Sequence, residues 1–114
     1  MDSKKNIPLI NMENFEYICG NFLETLTEQI EDFDKNSIFD VDYSDGILNI
    51  ILEDTGQTYV INRHSATKKI WYSSPLTGAD YFSFDVKKEE WLNDKGDLLS
   101  DKLFGELKTL TKTN

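Results

Sequence analysis

The sequence predicts an α+β fold, a two-layer α-β sandwich in which two helices pack on one face of an antiparallel sheet of about five to six strands. Three observations support this fold class. A long stretch with helical spacing of apolar residues comes first, short segments that alternate apolar and polar residues follow, and a second helical stretch comes last. With 114 residues, the chain suits one domain with one core, so we expect residues 1–114 to form a single domain.

The first helix is predicted from residue 12 to about residue 33. Its apolar residues form a stripe wide enough to pack on a sheet, and they are Phe15, Ile18, Cys19, Phe22, Leu26, Ile30 and Phe33. Because Cys19 lies in this stripe, we interpret it as a small buried apolar residue rather than a reactive thiol. Residues 1–11 are polar at first and contain Pro8, and we expect them to be flexible.

Strands and a second helix are predicted after the first helix. Alternating patterns predict strands over 38–43, 47–53, 58–63, 69–73 and 80–84, with a short last strand at Trp91 and Leu92. The Ser44-Asp45-Gly46 sequence is typical of a tight turn, which indicates that the first two strands form a hairpin. The second helix is predicted because five apolar residues recur at helical spacing, namely Leu99, Leu103, Phe104, Leu107 and Leu110.

The two middle strands carry the most unusual surface. If their inward side chains are Tyr59, Ile61, Ile70 and Tyr72, the outward side chains are Val60, Asn62, Lys69 and Trp71. A tryptophan is rarely left exposed to water without a reason, so Trp71 is the first candidate for a contact with a partner. The opposite register, with Trp71 buried, stays open, because a slip of one residue turns every side chain to the other face.

Negative charge is concentrated in the first half of the chain. The whole chain has a formal net charge of −9, and residues 1–54 contain thirteen acids but three lysines. This charge disfavours binding to nucleic acid or to an anionic membrane surface, and it favours cations or basic proteins as partners. The single cysteine rules out an internal disulfide framework and cannot by itself hold an iron-sulfur cluster.

An acidic ridge is predicted along the first helix and the first strand. Glu24, Glu28 and Glu31 recur at i, i+4 and i+7, so their Cβ atoms follow one another about 5 to 6 Å apart. The ridge continues with Asp32 in the last turn of the helix, Asp34 just beyond it, and Asp40 and Asp42 on the first strand. Carboxylates without His or Cys suit cations of the Ca, Mg, Mn and Fe kind, and an exposed ridge predicts weak, exchangeable binding.

The acids at the end of the helix carry a stability cost, because negative charge is unfavourable near a helix C-terminus. The sequence offers no folding reason for Glu31 or Asp34 there, so neutralising either is expected to stabilise the fold. Function is one explanation of the ridge. The other is the solvated face of an ordinary helix.

The run TYVIN (residues 58–62), followed by IW, SSP and a glycine, resembles the frataxin family, which includes the bacterial CyaY proteins. The likeness extends from about Phe15 to about Leu110. It implies an α-β sandwich whose acidic ridge binds iron and whose open sheet face docks on the complex of cysteine desulfurase and scaffold protein that assembles iron-sulfur clusters. Ridge positions of the family match Glu24, Glu28, Glu31, Asp32, Asp34 and Asp40, and its sheet-face Asn and Trp match Asn62 and Trp71.

The chain departs from the family pattern at two places near the expected docking face. Lys69 stands where many members have Gln before the Ile-Trp pair. Residues 77–81 contain no basic residue, although eukaryotic members commonly have one after Ser-Gly-Pro. The chain therefore differs from the family at individual positions of the expected docking face.

The function implied by the resemblance is that of an iron-binding accessory protein, which regulates sulfur transfer and iron entry by binding rather than by covalent catalysis. Ferroxidase or iron-storage activity, credited to the family, is the enzymatic alternative, and an acidic protein-interaction module without a metal role is the other. We expect a monomer, with iron-dependent oligomerisation left open. The expected compartment is the mitochondrial matrix or a related organelle in a eukaryote, and the cytoplasm in a bacterium.

Overall fold

The computed structural model describes residues 12–111, with side chains from residue 14 onwards. The elements in chain order are α1 (Met12–Phe33), β1 (Phe39–Ser44), β2 (Ile47–Leu52), β3 (Thr58–His64), β4 (Lys69–Ser74), β5 (Gly78–Asp85), β6 (Glu90–Leu92) and α2 (Leu99–Thr111). The predicted flexible segment 1–11 lies outside the described residues. Both helices and all six strands lie within a few residues of their predicted positions.

The six strands form one antiparallel sheet in the order β1-β2-β3-β4-β5-β6. Each strand therefore pairs with its neighbours in the sequence, and β1 and β6 are the two edges. Buried side chains from both helices meet one face of this sheet in a single core. The predicted α+β sandwich is confirmed.

The apolar stripe of α1 fills the core between the helices and the sheet. Its fully buried members are Phe15, Cys19, Leu23, Leu26 and Ile30. Leu23 was not in the predicted stripe, whereas Ile18, Phe22 and Phe33 of that stripe are only partly buried at its borders. From α2, Leu99, Leu103 and Leu107 complete this layer.

The register of the middle strands follows the first of the two predicted alternatives. Tyr59, Ile61, Ile70 and Tyr72 are at most 1% exposed, so they form the inward face of β3 and β4. Trp71 points to the opposite face and is only half-buried. The alternative register with a buried Trp71 is wrong.

A tight turn at Asp45 and Gly46 places β1 beside β2. Both residues have positive φ angles, 53° and 77°, as in the two-residue turns whose twist matches that of a hairpin. A Cβ atom at Gly46 would lie 2.9 Å from Cζ of Arg63, so a larger residue would displace the arginine. Glycine suits this position because it adopts the positive φ angle without strain and leaves room for the Arg63 guanidinium.

A polar contact holds α2 on the sheet. The carboxylate of Glu106 accepts hydrogen bonds from the hydroxyl groups of Tyr59 (2.9 Å), Ser74 (2.5 Å) and Thr77 (2.9 Å). Ser74 in turn accepts hydrogen bonds from the backbone amides of Leu76 and Thr77. Glu106 thus fixes the end of β4 and the turn into β5.

Trp91 packs in the core between β6 and α1. Its side chain is 3% exposed. The rings of Phe15, Phe22 and Phe84 lie with their centroids 5.2–6.0 Å from that of Trp91. The short strand β6 is therefore anchored to α1 through aromatic contacts.

Candidate functional site

The acids of the predicted ridge lie on the exposed surface of α1 and on β1. The exposed members of the ridge are Glu24, Glu28, Glu31, Asp32, Asp40 and Asp42. Helix and strand are close at one end of this ridge, since a Cβ atom at Gly20 would lie 4.0 Å from the hydroxyl oxygen of Tyr43. At the other end α1 leads directly into β1 through a short turn. The two elements thus run side by side in opposite directions.

One acid of the α1 part of the ridge, Glu24, lies near Tyr43 of β1. Burial is the main reason why the pKa of this phenol is raised, and the nearby Cys19 and Glu24 groups raise it further, while Arg63 lowers it. Glu24 is therefore close enough to β1 for its charge to act on a strand residue. Asp40 and Asp42 alternate with the inward-facing Val41 and Tyr43, so they point to the open face of the sheet, whereas the acids of α1 lie on the helix layer.

Asp34 differs from the other ridge acids, because its carboxylate is engaged in the fold. Its two oxygens accept hydrogen bonds from the backbone amides of Ile38 and Phe39, each at 2.9 Å. These bonds close the turn between α1 and β1, in which Ser37 has a positive φ angle of 54°. The expectation that Asp34 has no folding reason is wrong.

The exposed acids do not form a compact metal site. Among residues 14–111, no group of three or more His, Cys, Asp or Glu side chains converges with the geometry of a metal centre. A cation held along the ridge would therefore meet one or two carboxylates at a time and keep several waters. This arrangement suits loose, exchangeable binding of hard cations.

The second predicted surface lies on the open face of the sheet. Val60, Asn62, Lys69 and Trp71 all point to this face and are half-buried. Asn62 and Trp71 are direct cross-strand partners, and Lys69 is the partner of His64. The four residues are thus brought together by the pairing of β3 with β4.

Asn62 has an unusual environment at the centre of this surface. Its amide nitrogen donates a hydrogen bond to the backbone oxygen of Arg63 at 3.2 Å. Its side-chain oxygen is shielded from solvent and accepts no hydrogen bond from the part of the chain that the structure describes. Buried polar atoms are usually paired, so this oxygen is an exception in the sheet, and a donor could reach it only after neighbouring side chains moved.

Two exposed residues that the sequence analysis missed extend this surface. Ile47 is the cross-strand partner of Asn62, and Tyr81 is the partner of Trp71. Ile47 is 41% exposed and Tyr81 is 44% exposed. We refer to Ile47, Asn62, Trp71 and Tyr81 as the central row. The hairpin turns would have revealed this row, because counting outward from each turn fixes the cross-strand partners.

Cys19 is not part of a reactive site. Its side chain is fully buried in the core. Burial raises the pKa of its thiol to about 12, an effect that Arg63 opposes and Glu16 reinforces. A thiol with so little thiolate at neutral pH is a poor nucleophile. The interpretation of Cys19 as a core residue is confirmed.

Fold and surfaces together define a small α-β sandwich protein with an acidic edge and an open sheet face. The model of the frataxin-like domain matches residues 8–113, so the chain belongs to the frataxin family. The iron-sulfur cluster assembly protein CyaY of Thioalkalivibrio sulfidiphilus is 38% identical to it over 91 residues, which cover 79% of this chain and 83% of that protein. A mitochondrial frataxin of Dictyostelium discoideum is 32% identical over 109 residues, 92% of this chain. The chain spans 56% of that relative's length.

Solved structures agree with this assignment. Trimeric frataxin from the yeast Saccharomyces cerevisiae, complexed with ferrous iron, has a TM-score of 0.70 and 30% identity over 81% of this chain and 83% of that one. Frataxin from Psychromonas ingrahamii has a TM-score of 0.77 over 91% of this chain and 94% of its own, and at 19% identity this likeness concerns the fold. Within residues 12–111, no helix is long and apolar enough to cross a membrane.

Proposed function

We propose that this protein binds iron through the acidic ridge and docks through its open sheet face on the cysteine desulfurase and scaffold complex of iron-sulfur cluster assembly. In this role it regulates sulfur transfer and iron entry without forming a covalent intermediate. The observation that carries the proposal is the presence, in a chain of the frataxin family, of two separate surfaces suited to these two ligands.

Iron binding is supported by the donor set of the ridge. The ligands would be Glu24, Glu28, Glu31, Asp32, Asp40 and Asp42, all exposed carboxylates. Asp34 would contribute charge more than direct ligation, because its oxygens already accept two backbone hydrogen bonds. Hard oxygen donors suit iron in either oxidation state, and their exposure favours exchange with a partner. The yeast relative complexed with ferrous iron is consistent with this cargo.

Docking is supported by the chemistry of the sheet face. Trp71 is a large aromatic side chain that stays partly exposed on a central strand of the sheet, and tryptophan is enriched among the residues that dominate binding energy in interfaces. Asn62 beside it is a half-buried polar side chain on the same face. The ridge adds attraction to a basic partner, so both surfaces can contribute to one complex.

The site of action proposed for the protein follows from its relatives. The similar proteins are mitochondrial frataxins in eukaryotes and a CyaY protein in a bacterium. We propose the mitochondrial matrix or a related organelle in a eukaryotic cell, and the cytoplasm in a bacterial one.

A backbone amide NMR titration tests the iron proposal. Under anaerobic conditions, Fe(II) is expected to broaden signals between Glu24 and Asp42 and to leave those of the open sheet face unchanged. The variant Glu28→Lys/Glu31→Lys/Asp32→Lys should lose this response. Its matched control is Glu89→Lys/Glu90→Lys/Asp94→Lys, which makes the same charge change with exposed acids near β6. If both triple variants bind iron alike, the ridge is not the iron site.

Binding to the purified desulfurase and scaffold complex tests the docking proposal. Trp71→Ala and Asn62→Ala are each expected to weaken binding by about tenfold or more. Unchanged affinity of Trp71→Ala would show that the sheet face is not the docking surface. If the complex binds while Fe(II) perturbs no ridge signal, the protein is an acidic interaction module and its iron role is wrong. Oxidation of Fe(II) in air faster than in buffer would instead indicate ferroxidase activity.

A further inference from the structure

We propose that Ile47 and Tyr81 are binding residues at the two ends of the central row, and that the partner surface they contact is apolar and uncharged. This inference rests on the docking function proposed above and specifies the chemistry of that contact. It assigns the sheet face a binding mode different from that of the acidic ridge.

The central row is continuous across four strands. Ile47 on β2 pairs with Asn62 on β3, Asn62 pairs with Trp71 on β4, and Trp71 pairs with Tyr81 on β5. Paired residues of neighbouring strands point to the same face, and strands lie about 4.8 Å apart, so the row is about 14 Å long. A partner that covers Asn62 and Trp71 would also meet the residues at both ends.

The exposure of the end residues supports their role. In the part of the chain that the structure describes, the large hydrophobic residues counted as exposed are Tyr17, Ile47, Leu76 and Tyr81. Two of the four lie in this one row, next to a half-buried tryptophan. Exposed apolar side chains that are contiguous, rather than scattered, are a mark of an interaction surface.

The orientation of Tyr81 is restricted before any partner binds. The ring of His64 packs edge-on against the ring of Tyr81, with 5.8 Å between their centroids. A side chain already held in place loses less conformational entropy on binding. Tyr81 is thus suited to act as an anchor that fits a pocket or a flat apolar patch on the partner.

The charge pattern distinguishes this surface from the ridge. None of the four residues of the central row carries a charge, whereas the ridge consists of carboxylates. A contact between uncharged surfaces depends little on ionic strength, while attraction between an acidic ridge and a basic partner is screened by salt. Substitutions in the row should therefore lower affinity without changing its dependence on salt.

The test is a titration of the purified desulfurase and scaffold complex with the full chain at low, intermediate and high salt. We expect Tyr81→Ala and Ile47→Ala each to weaken binding by about five- to tenfold at every salt concentration, and Tyr81→Phe to bind like the wild type because the ring is kept. Glu28→Gln, in contrast, should reduce the slope of affinity against salt. Tyr17→Ala is the matched control, since Tyr17 is a 72% exposed tyrosine on α1.

The outcomes separate this inference from the proposed function. If Trp71→Ala weakens binding but Tyr81→Ala and Ile47→Ala stay within about twofold of the wild type, the inference is overturned and the docking function stands. If Trp71→Ala also binds normally, the docking function fails and the inference fails with it. A Tyr81→Ala variant that changes the salt slope would overturn the uncharged character of the contact. Circular dichroism of each variant confirms that these exposed substitutions leave the fold intact.

Discussion

The carboxylate of Asp34, just beyond the end of α1, accepts a hydrogen bond from the backbone amide of Phe39, the first residue of β1, at 2.9 Å. The other oxygen of the same group accepts one from the preceding amide, that of Ile38. One side chain of the acidic ridge therefore also joins the helix layer to the edge strand. The ridge acids carry the same charge, but Asp34 also has a structural role in the turn between α1 and β1.

This difference predicts opposite effects of neutralising Asp34 and Glu31. Asp34→Ala leaves two backbone amides without their acceptor and should lower the free energy of unfolding by about 1–2 kcal/mol. Asp34→Asn keeps one acceptor oxygen, so its free energy of unfolding should lie between those of Asp34→Ala and the wild type. Glu31→Gln removes an exposed negative charge near a helix C-terminus and should raise the melting temperature slightly. Urea unfolding measures the free energies of the Asp34 variants, and thermal unfolding measures the melting temperature of Glu31→Gln. Equal stability of Asp34→Ala and the wild type would contradict the role of these hydrogen bonds.

The sequence predicted the elements because periodicity determines them. The stripe of α1 and the alternation in β3 and β4 required only local patterns. These patterns placed Tyr72 and Trp71 on opposite faces, but only the structure shows that Tyr72 is the buried one. The role of Asp34 could not be predicted in this way. It depends on the path of a turn in which Ser37 adopts a positive φ angle, a conformation that no periodic pattern encodes.

The central row shows a second limit of sequence reasoning. Asn62 and Trp71 were predicted as surface residues from their own strands, but Ile47 and Tyr81 join them only through the pairing of four strands. Alternation within one strand shows which face a residue occupies and leaves its neighbours on that face undetermined. The acidic ridge was easier to predict, because most of its residues lie on one helix, where spacing alone brings them together.

Glu106 is expected to contribute more to stability than a partly exposed acid usually does. Glu106→Ala leaves the hydroxyl groups of Tyr59, Ser74 and Thr77 without their shared acceptor, and we expect a loss of about 2–3 kcal/mol in the free energy of unfolding. Thr77→Val removes one exposed bond of the three and should cost about 0.5–1 kcal/mol. Urea unfolding gives both values. If the two variants lose the same amount, the three bonds do not act as one network.

Cys19 should resist alkylation in the folded protein. Burial raises the pKa of its thiol from 9.0 to about 12, so much less of the thiol is ionised at pH 8 than in an unperturbed cysteine. Reaction with iodoacetamide at pH 8, followed by mass spectrometry, should be very slow in buffer and fast in concentrated urea. The urea sample is the control for reagent activity. Rapid modification in buffer would show that α1 opens readily around Cys19.

The protein should lose stability in acid when the Asp80 carboxylate becomes protonated. Burial alone would raise the pKa of this carboxyl, but the hydrogen bonds from Asn93 and the Tyr81 amide, together with the Lys102 ammonium 3.4 Å away, lower it below its ordinary 3.8. A group whose pKa is lower in the folded state stabilises the protein fully when the pH is above its pKa in the unfolded state. This contribution is lost as the pH falls through its pKa in the folded state. The relevant window therefore begins near pH 3.8 and extends below it.

The variant Asp80→Asn isolates this contribution. At pH 6 it should be less stable than the wild type, because the attraction to Lys102 is lost. The difference should shrink as the pH is lowered below the ordinary pKa of an aspartate, because the wild-type carboxyl then becomes neutral as well. Urea unfolding at a series of pH values measures the difference directly, and the exposed Asp94→Asn is the matched control. A difference that stays constant down to about pH 2.5, or that grows, would show that the Asp80 carboxylate does not stabilise the contact between β5 and α2 through its charge.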